Sequence, residues 1–155
     1  MKIRYVDLQE TDTFAMINKN DPNTIRFNKR IYDDTAYLKA EYQKLVDEGF
    51  YVKGTDYQSV SYHEMGHVLN RLLGADKVIT RVIEQKAREY NLSSKDFLEK
   101  YVSGYSSLYK ESSKSYSELL PELLSGIYVS KDSEQVRLFR EILINIINKL
   151  RRSLK

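Results

Sequence analysis

Apolar and polar residues alternate along the first third of the chain, with the period of a half-buried β-strand. The alternating apolar pairs are Ile3 and Tyr5, Phe14 and Met16, and Ile25 and Phe27. Residues 21–23, Asp-Pro-Asn, are typical of a turn. The pattern therefore predicts three short strands, near residues 2–7, 12–18 and 24–32.

Beyond residue 33 the apolar spacing becomes that of helices. Asp33 or Asp34 can cap the first predicted helix, which Gly49 ends, and residues 50–52 are predicted to form a short strand. The stretch 103–117, rich in Ser, Tyr and Lys, is predicted to be a loop. The later helices are predicted over about 57–74, 77–90, a segment capped by Ser93 or Ser94, 118–129 and 133–152.

Composition and charge describe an ordinary globular domain. The 155 residues are 41% apolar and 30% charged, and neither an internal repeat nor a change of composition marks a domain boundary. We therefore predict one domain over 1–155, of the α+β class, with a small N-terminal β-sheet packed on a helix and a helical C-terminal half. A net charge of +3 is too small a basic excess to predict a nucleic-acid partner.

The chain shows no signal for export or for membrane insertion. Its start lacks the apolar run of a signal peptide, and no stretch approaches the roughly 18 apolar residues of a membrane span. We therefore expect a cytoplasmic protein without a membrane partner. Delivery by a machinery that needs no such signal, or association with a virion, is compatible with the same sequence.

The chemical signal is His63-Glu64-Met65-Gly66-His67, an H-E-x-x-H motif within a predicted helix. Imidazoles four residues apart lie on one side of a helix, so both can bind one ion. Zinc suits such ligands and lowers the pKa of a bound water to about 7. Glu64 can then act as general base, taking a proton from this water and passing it to a leaving amine. Chance seldom produces this spacing from two His in 155 residues.

Two His leave a zinc site short of a third protein ligand. The chain has no third His and no Cys, so we expect the third ligand to be a carboxylate. A thermolysin-like enzyme would take its ligand from the next helix, but the residues that flank that ligand are missing here. The downstream candidates are Glu84, Glu89, Glu99, Glu111, Glu118 and Glu122.

Glu118 and Glu122 differ from the other candidates because they lie one helical turn apart among Leu residues. A carboxylate on the apolar side of a helix is unfavourable unless it is paired or bound to a metal. The alternative is an exposed pair at the start of a helix, where negative charge is favourable to the helix dipole. The sequence alone leaves both interpretations open.

Three short motifs resemble those of the lethal-factor-like zinc metallopeptidases, which include peptidase domains of phage head proteins and mobile elements. The family has H-E-x-G-H, then Ser-x-Tyr, then a Glu-containing segment that opens a helix. The matching segments here are residues 63–67, residues 102–106 (Val-Ser-Gly-Tyr-Ser) and residues 118–122 (Glu-Leu-Leu-Pro-Glu). The resemblance spans roughly residues 25–130 and implies a zincin-like fold with a glutamate ligand.

The resemblance also implies a role for each site residue. His63, His67 and Glu118 would bind zinc, and Glu64 would be the general base. Tyr105 would hydrogen-bond the developing oxyanion. Glu122 would orient a ligand His through its other ring nitrogen.

The chain departs from the family pattern in two places. Twelve residues separate Tyr105 from Glu118, about twice the usual interval, so Tyr109 or Tyr116 could take the tyrosine role. Pro121 replaces a small Ala, and proline is favourable only in the first turn of a helix. The helix is therefore expected either to begin near residue 117 or to be kinked.

The sequence predicts a zinc metallopeptidase, an endopeptidase that hydrolyses peptide bonds through a zinc-bound water. Its substrate, a protein or peptide, is expected to pair with an edge strand near residues 50–55. The alternative is a zinc-binding structural or interaction module of a phage or mobile element with little or no turnover. A peptidase that cleaves the repressor of a mobile element is a third interpretation. The oligomeric state is left open.

Overall fold

A computed structural model describes residues 1–9, 13–18 and 20–153. Within these residues the chain forms three strands and seven α-helices, which confirms the predicted α+β class. The strands are β1 (Lys2–Val6), β2 (Ala15–Asn18) and β3 (Asp21–Asn28). The helices are α1 (Lys29–Tyr32), α2 (Thr35–Asp47), α3 (Ser59–Leu73), α4 (Asp76–Glu89), α5 (Ser94–Tyr101), α6 (Leu119–Val129) and α7 (Ser133–Ser153).

The three strands form a mixed sheet with β3 in the centre. β1 runs parallel to β3 and β2 runs antiparallel to it, with Ile3 opposite Ile25 on one side and Ile17 opposite Ile25 on the other. Within the described residues β2 pairs only with β3, so β2 is an edge strand. This edge packs toward α3, which brings the sheet beside the H-E-x-x-H helix.

Two local predictions for the first third of the chain are wrong. Residues 21–23 belong to β3 and do not form a turn. Pro22 is compatible with this place because β1 pairs with β3 only from Thr24 onward, and Pro22 precedes this paired segment. The strand also ends at Asn28, after which residues 29–32 form the one-turn helix α1. The predicted second strand began at residue 12, which lies outside the described residues.

The predicted helices occur close to their expected bounds because capping residues fix where several of them begin or end. The Asp34 side chain accepts a hydrogen bond from the Tyr37 N–H at 3.0 Å, and Ser93 accepts one from the Asp96 N–H at 3.1 Å. Gly74 ends α3 in the left-handed conformation, with φ of 62°. No helix in the described ranges combines the length and the apolar character needed to cross a bilayer.

The predicted strand at residues 50–52 is wrong, because other elements engage this backbone. The N–H groups of Phe50 and Tyr51 donate to the Leu45 carbonyl at 2.9 and 3.2 Å, which closes the end of α2. The carbonyls of Gly49 and Phe50 accept from the Gly104 and Tyr105 N–H groups, each at 2.8 Å. The segment is therefore an irregular connection and does not offer a free strand edge.

Apolar side chains form two clusters, one that includes Val60 of α3 and one that includes Leu119, Leu120 and Leu123 of α6. The first joins the sheet to α1 and α2 and includes Ile25, Phe27 and Leu38. The second joins α4 to α7 and includes Phe97 and Phe139. Helices α3 and α6 have the most extensive contact between any two elements of the described chain, and this contact brings the two clusters together.

Candidate metal centre

Helix α3 holds both His residues of the motif on one side. The His63 and His67 rings lie 4.9 Å apart at 79° to each other. The start of the helix is fixed by Tyr42, whose hydroxyl hydrogen-bonds the side chains of Ser59 and Thr55. His63 is nearly buried, whereas His67 is partly open to solvent. Solvent can therefore reach the pair of imidazoles from the side of His67.

Helix α6 brings a carboxylate to this pair. Glu118 is the N-cap of the helix, and Pro121 lies in its first turn. Backbone N–H groups of the first turn have no partner within the helix, so the N–H that proline lacks is not missed there. Of the two predicted positions for Pro121, the structure has the helix start and not the kink. Gly66 faces Pro121 so closely that a Cβ on Gly66 would lie 2.4 Å from the Pro121 Cα. The glycine of the motif thus permits the close approach of α3 and α6.

The donor atoms of His63, His67 and Glu118 all lie within 4.8 Å of one another, so this group could hold a metal ion. Glu118 Oε2 is 3.4 Å from His63 Nε2 and 3.2 Å from His67 Nε2. Two ligands of a tetrahedral zinc ion at ~2.0–2.1 Å from it are separated by about 3.4 Å. The spacing of these donors therefore fits a small divalent ion.

Glu122 contacts the other nitrogen of the first His. His63 Nδ1 donates to Glu122 Oε1 at 2.8 Å, so Nε2 faces Glu118. Such a bond fixes the tautomer and the ring orientation of a ligand imidazole. Glu122 Oε2 is also buried and accepts no hydrogen bond from the residues that the structure describes.

The electrostatics of the cluster favour a cation. Burial opposes protonation of His63, yet hydrogen bonds to Glu118 and Glu122, with the charge of Glu122 and Glu64, raise its pKa to about 10. Burial acts to raise the pKa of Glu118, but His63 and His67 more than offset it, so this pKa lies well below its usual range. Burial raises the pKa of Glu64, against the opposite effect of the two imidazoles. The carboxylates of Glu64, Glu118 and Glu122 therefore lie around the two imidazoles, and their negative charge favours a bound cation.

Tyr105 lies against the first His. Its ring stacks on His63 with 5.4 Å between centroids and 7° between planes. The backbone bonds of residues 104–105 to residues 49–50 hold it there. Burial, with the charge of Glu118, Glu122 and Glu64, raises the pKa of Tyr105, so the phenol is neutral at physiological pH. A neutral phenol can donate a hydrogen bond.

A cavity of about 230 Å³ opens beside His63, Glu64 and Tyr105. Residues 13–15, at the start of β2, form one wall, and residues 50–51 form another. Glu64 Oε2 is buried and has no hydrogen-bond partner among the described residues. The cavity therefore connects the sheet edge to the candidate metal group.

The remaining sequence candidates lie elsewhere. Four of the carboxylates considered as the third ligand are exposed and lie on other segments; they are Glu84, Glu89, Glu99 and Glu111. Tyr109 and Tyr116 pack against each other in the loop, whereas Tyr105 is the tyrosine stacked on His63.

Sequence reasoning missed Lys110, whose Nζ is 3.4 Å from Glu118 Oε1. It also missed Phe14 in the cavity wall, and it included Tyr51 only as part of the segment 50–55 expected to pair with a substrate. None of the three belongs to a spacing pattern that indicates chemistry. Their places depend on the course of a loop and on the packing of the sheet against α3.

No family model, curated protein or solved structure matches this chain. The resemblance to the lethal-factor-like peptidases therefore depends on the three short motifs alone. The roles that it implies for His63, Glu64, His67, Tyr105, Glu118 and Glu122 stay predictions.

Proposed function

We propose that this chain is a zinc-dependent endopeptidase of the zincin class, with His63, His67 and Glu118 as the zinc ligands. The observation that carries the proposal is the spacing of 3.2 and 3.4 Å between one Glu118 oxygen and the two Nε2 atoms. Zinc prefers this mixture of imidazole and carboxylate donors. The substrate is a protein or peptide, and the cytoplasmic location expected from the sequence belongs to the same proposal.

Three side chains of the centre support hydrolysis. Zinc in this group would lower the pKa of a water molecule and polarise a peptide carbonyl. Glu64, buried beside the cavity, takes a proton from water and passes it to the leaving amine. Tyr105 donates a hydrogen bond to the carbonyl oxygen as negative charge develops there. Glu122 keeps His63 in its ligand orientation.

The sheet edge beside the cavity supports an extended substrate. The start of β2 lines this cavity, and β2 pairs with β3 on one side only within the described chain. A peptide can add to such an edge through backbone hydrogen bonds. We therefore assign substrate pairing to β2, in place of residues 50–55.

The first test is Glu64→Gln, which keeps the shape of the side chain but removes its basicity. The wild-type protein should carry one zinc per chain and cleave members of a synthetic peptide mixture, followed by mass spectrometry. The variant should keep its zinc and lose about 100- to 10,000-fold in rate. A zinc-free wild-type protein from zinc-replete medium would contradict the proposal. Retained zinc without any cleavage would favour the non-catalytic zinc module.

The second test concerns the third ligand. Glu118→Gln removes the charge of the proposed ligand, so zinc affinity should fall at least about tenfold, as measured by competition with a chelating dye. Glu84→Gln is the matched control, because Glu84 is exposed on α4 and lies outside the metal group. Equal zinc affinity of both variants would exclude Glu118 as a ligand.

A further inference from the structure

The cavity beside the candidate metal centre has an aromatic wall. Its five rings belong to Phe14, Tyr42, Phe50, Tyr51 and Tyr105. They form a continuous series: Tyr42 stacks on Tyr51 with 4.9 Å between centroids, and Phe50 stacks on Tyr105 at the same distance. An apolar cavity of about 150 Å³ can hold benzene. At about 230 Å³, this cavity has room for one large side chain.

The same cavity has acidic groups on its lining. Glu64 and Glu122 contribute carboxylates, and none of the described residues that line it is a Lys or an Arg. Glu122 is only 2% exposed, and its Oε2 accepts no hydrogen bond from the described chain, although buried oxygens are nearly always paired. Lys110 contacts Glu118 and is not part of the cavity lining. The lining group that faces Glu122 is His63, which pairs with Oε1 and leaves Oε2 without a donor in the described chain.

Aromatic faces and a buried carboxylate together bind cations. A guanidinium or ammonium group is attracted to the face of a Tyr or Phe ring, most strongly where water is excluded. A carboxylate oxygen without a donor is unfavourable in a buried place, and an N–H donor of a cation would satisfy it. A purely apolar side chain would fill the space and leave the Glu122 oxygen unpaired.

We propose that this cavity is a specificity pocket for a basic side chain of the substrate, with arginine as the best fit. The aliphatic stem would lie along the rings, and the planar guanidinium would reach Glu122 Oε2 after a small movement of the lining, because this oxygen is buried in the free protein. Arginine suits the pocket better than lysine because its planar group both stacks on rings and donates several hydrogen bonds. The inference rests on the proposed peptidase function, whose substrate class it narrows to peptides with a basic residue next to the cleaved bond.

The test compares arginine with citrulline, which has nearly the same shape without the charge. Alanine-rich peptides carry arginine, citrulline, norleucine or phenylalanine at each position in turn, and cleavage by the wild-type protein is followed by mass spectrometry. At one position next to the cleaved bond, arginine should be preferred over citrulline and norleucine by at least about tenfold in kcat/KM. Equal rates for arginine and citrulline, or a preference for phenylalanine, would overturn the proposal.

A binding measurement separates this inference from the peptidase proposal. The N-acetyl amides of arginine, citrulline and norleucine are titrated into the wild-type protein and followed by the backbone amide signals of Phe14 and Tyr51. Tighter binding of the arginine amide, without cleavage of any peptide, would support the pocket and contradict the peptidase. Peptide cleavage with equal binding of all three amides would support the peptidase and contradict the pocket.

The variant Glu122→Gln assigns the preference to its carboxylate. The amide oxygen of glutamine can still accept the hydrogen bond from His63 Nδ1, so the orienting role is kept while the charge is lost. The preference for arginine over citrulline should fall below about threefold. An unchanged preference in this variant would contradict the proposed role of Glu122.

Discussion

At the scale of single residues, His63 has the most contacts in the proposed site. Its Nδ1 donates to Glu122, its Nε2 faces Glu118, and its ring face lies against Tyr105. Each contact limits a different freedom of the ring: the tautomer, the direction toward the ion and the tilt. We infer that the ligand position is set before any metal binds.

Tyr105 is the residue whose proposed role separates most cleanly from metal binding. Tyr105→Phe keeps the ring that stacks on His63 and removes only the hydroxyl. We expect kcat to fall by about 100-fold or more, because one oxyanion donor is lost, while zinc content and KM change little. The controls are Tyr109→Phe and Tyr116→Phe, which alter tyrosines that pack on each other in the loop. A larger loss in either control would transfer the role to that residue.

The sequence predicted the composition of the site better than its geometry. The four-residue spacing of His63 and His67 was enough to indicate a metal, and the lack of Cys and of a third His was enough to indicate a carboxylate. Residue type and spacing could not decide which of Glu118 and Glu122 is the third ligand, because both are glutamates on one side of α6. In the structure Glu118 faces Nε2 of both His residues, whereas Glu122 faces Nδ1 of His63.

At the scale of elements, the fold was predictable where patterns are long and local. Helices of eight or more residues occur near their expected bounds, since periodicity and caps are properties of the segment itself. The prediction of a strand at residues 50–52 was wrong because backbone hydrogen bonds to Leu45 and to residues 104–105 decide their conformation. The prediction of a turn at residues 21–23 was wrong because pairing with β2 extends β3 through this turn-like sequence.

The contact of α3 with α6 gives a prediction for the motif glycine. Gly66→Ala places a Cβ 2.4 Å from the Pro121 Cα and 2.8 Å from its nitrogen, both backbone atoms, so one helix must shift. We expect a loss of about 1–3 kcal/mol in the free energy of unfolding, although alanine is the better helix former by up to ~1 kcal/mol. Zinc affinity should fall as well, because the shift separates Glu118 from the two His.

Chemical denaturation of the metal-free protein measures the first effect, and dye competition measures the second. Met65→Ala is the matched control on the same helix, since Met65 is 43% exposed and its loss leaves α6 in place. A Gly66→Ala variant as stable as the wild type would show that the two helices do not need their close approach.

At the scale of the whole molecule, the candidate metal centre joins α3, which contributes Val60 to one apolar cluster, to α6, which contributes Leu119 and Leu120 to the other. His63 and His67 belong to α3, which contacts the sheet edge, and Glu118 belongs to α6, which packs on α7. An ion held by all three would connect the sheet side of the domain to the helical side. Metal binding would then stabilise the domain as a whole and not one loop.

Zinc should therefore raise the melting temperature of the protein. A ligand that binds only the folded state stabilises it by about 2.7 kcal/mol at a free concentration of 100 Kd, which corresponds to roughly 5–10 °C for a chain of this length. Differential scanning calorimetry of the metal-free protein, with and without buffered zinc, measures the shift. In His67→Ala the partly exposed ligand is lost while the buried His63 and its bonds remain, so the shift should fall to about 2 °C or less. An equal shift in this variant would mean that zinc binds elsewhere, and no shift in the wild type would mean that zinc does not bind the folded protein at these concentrations.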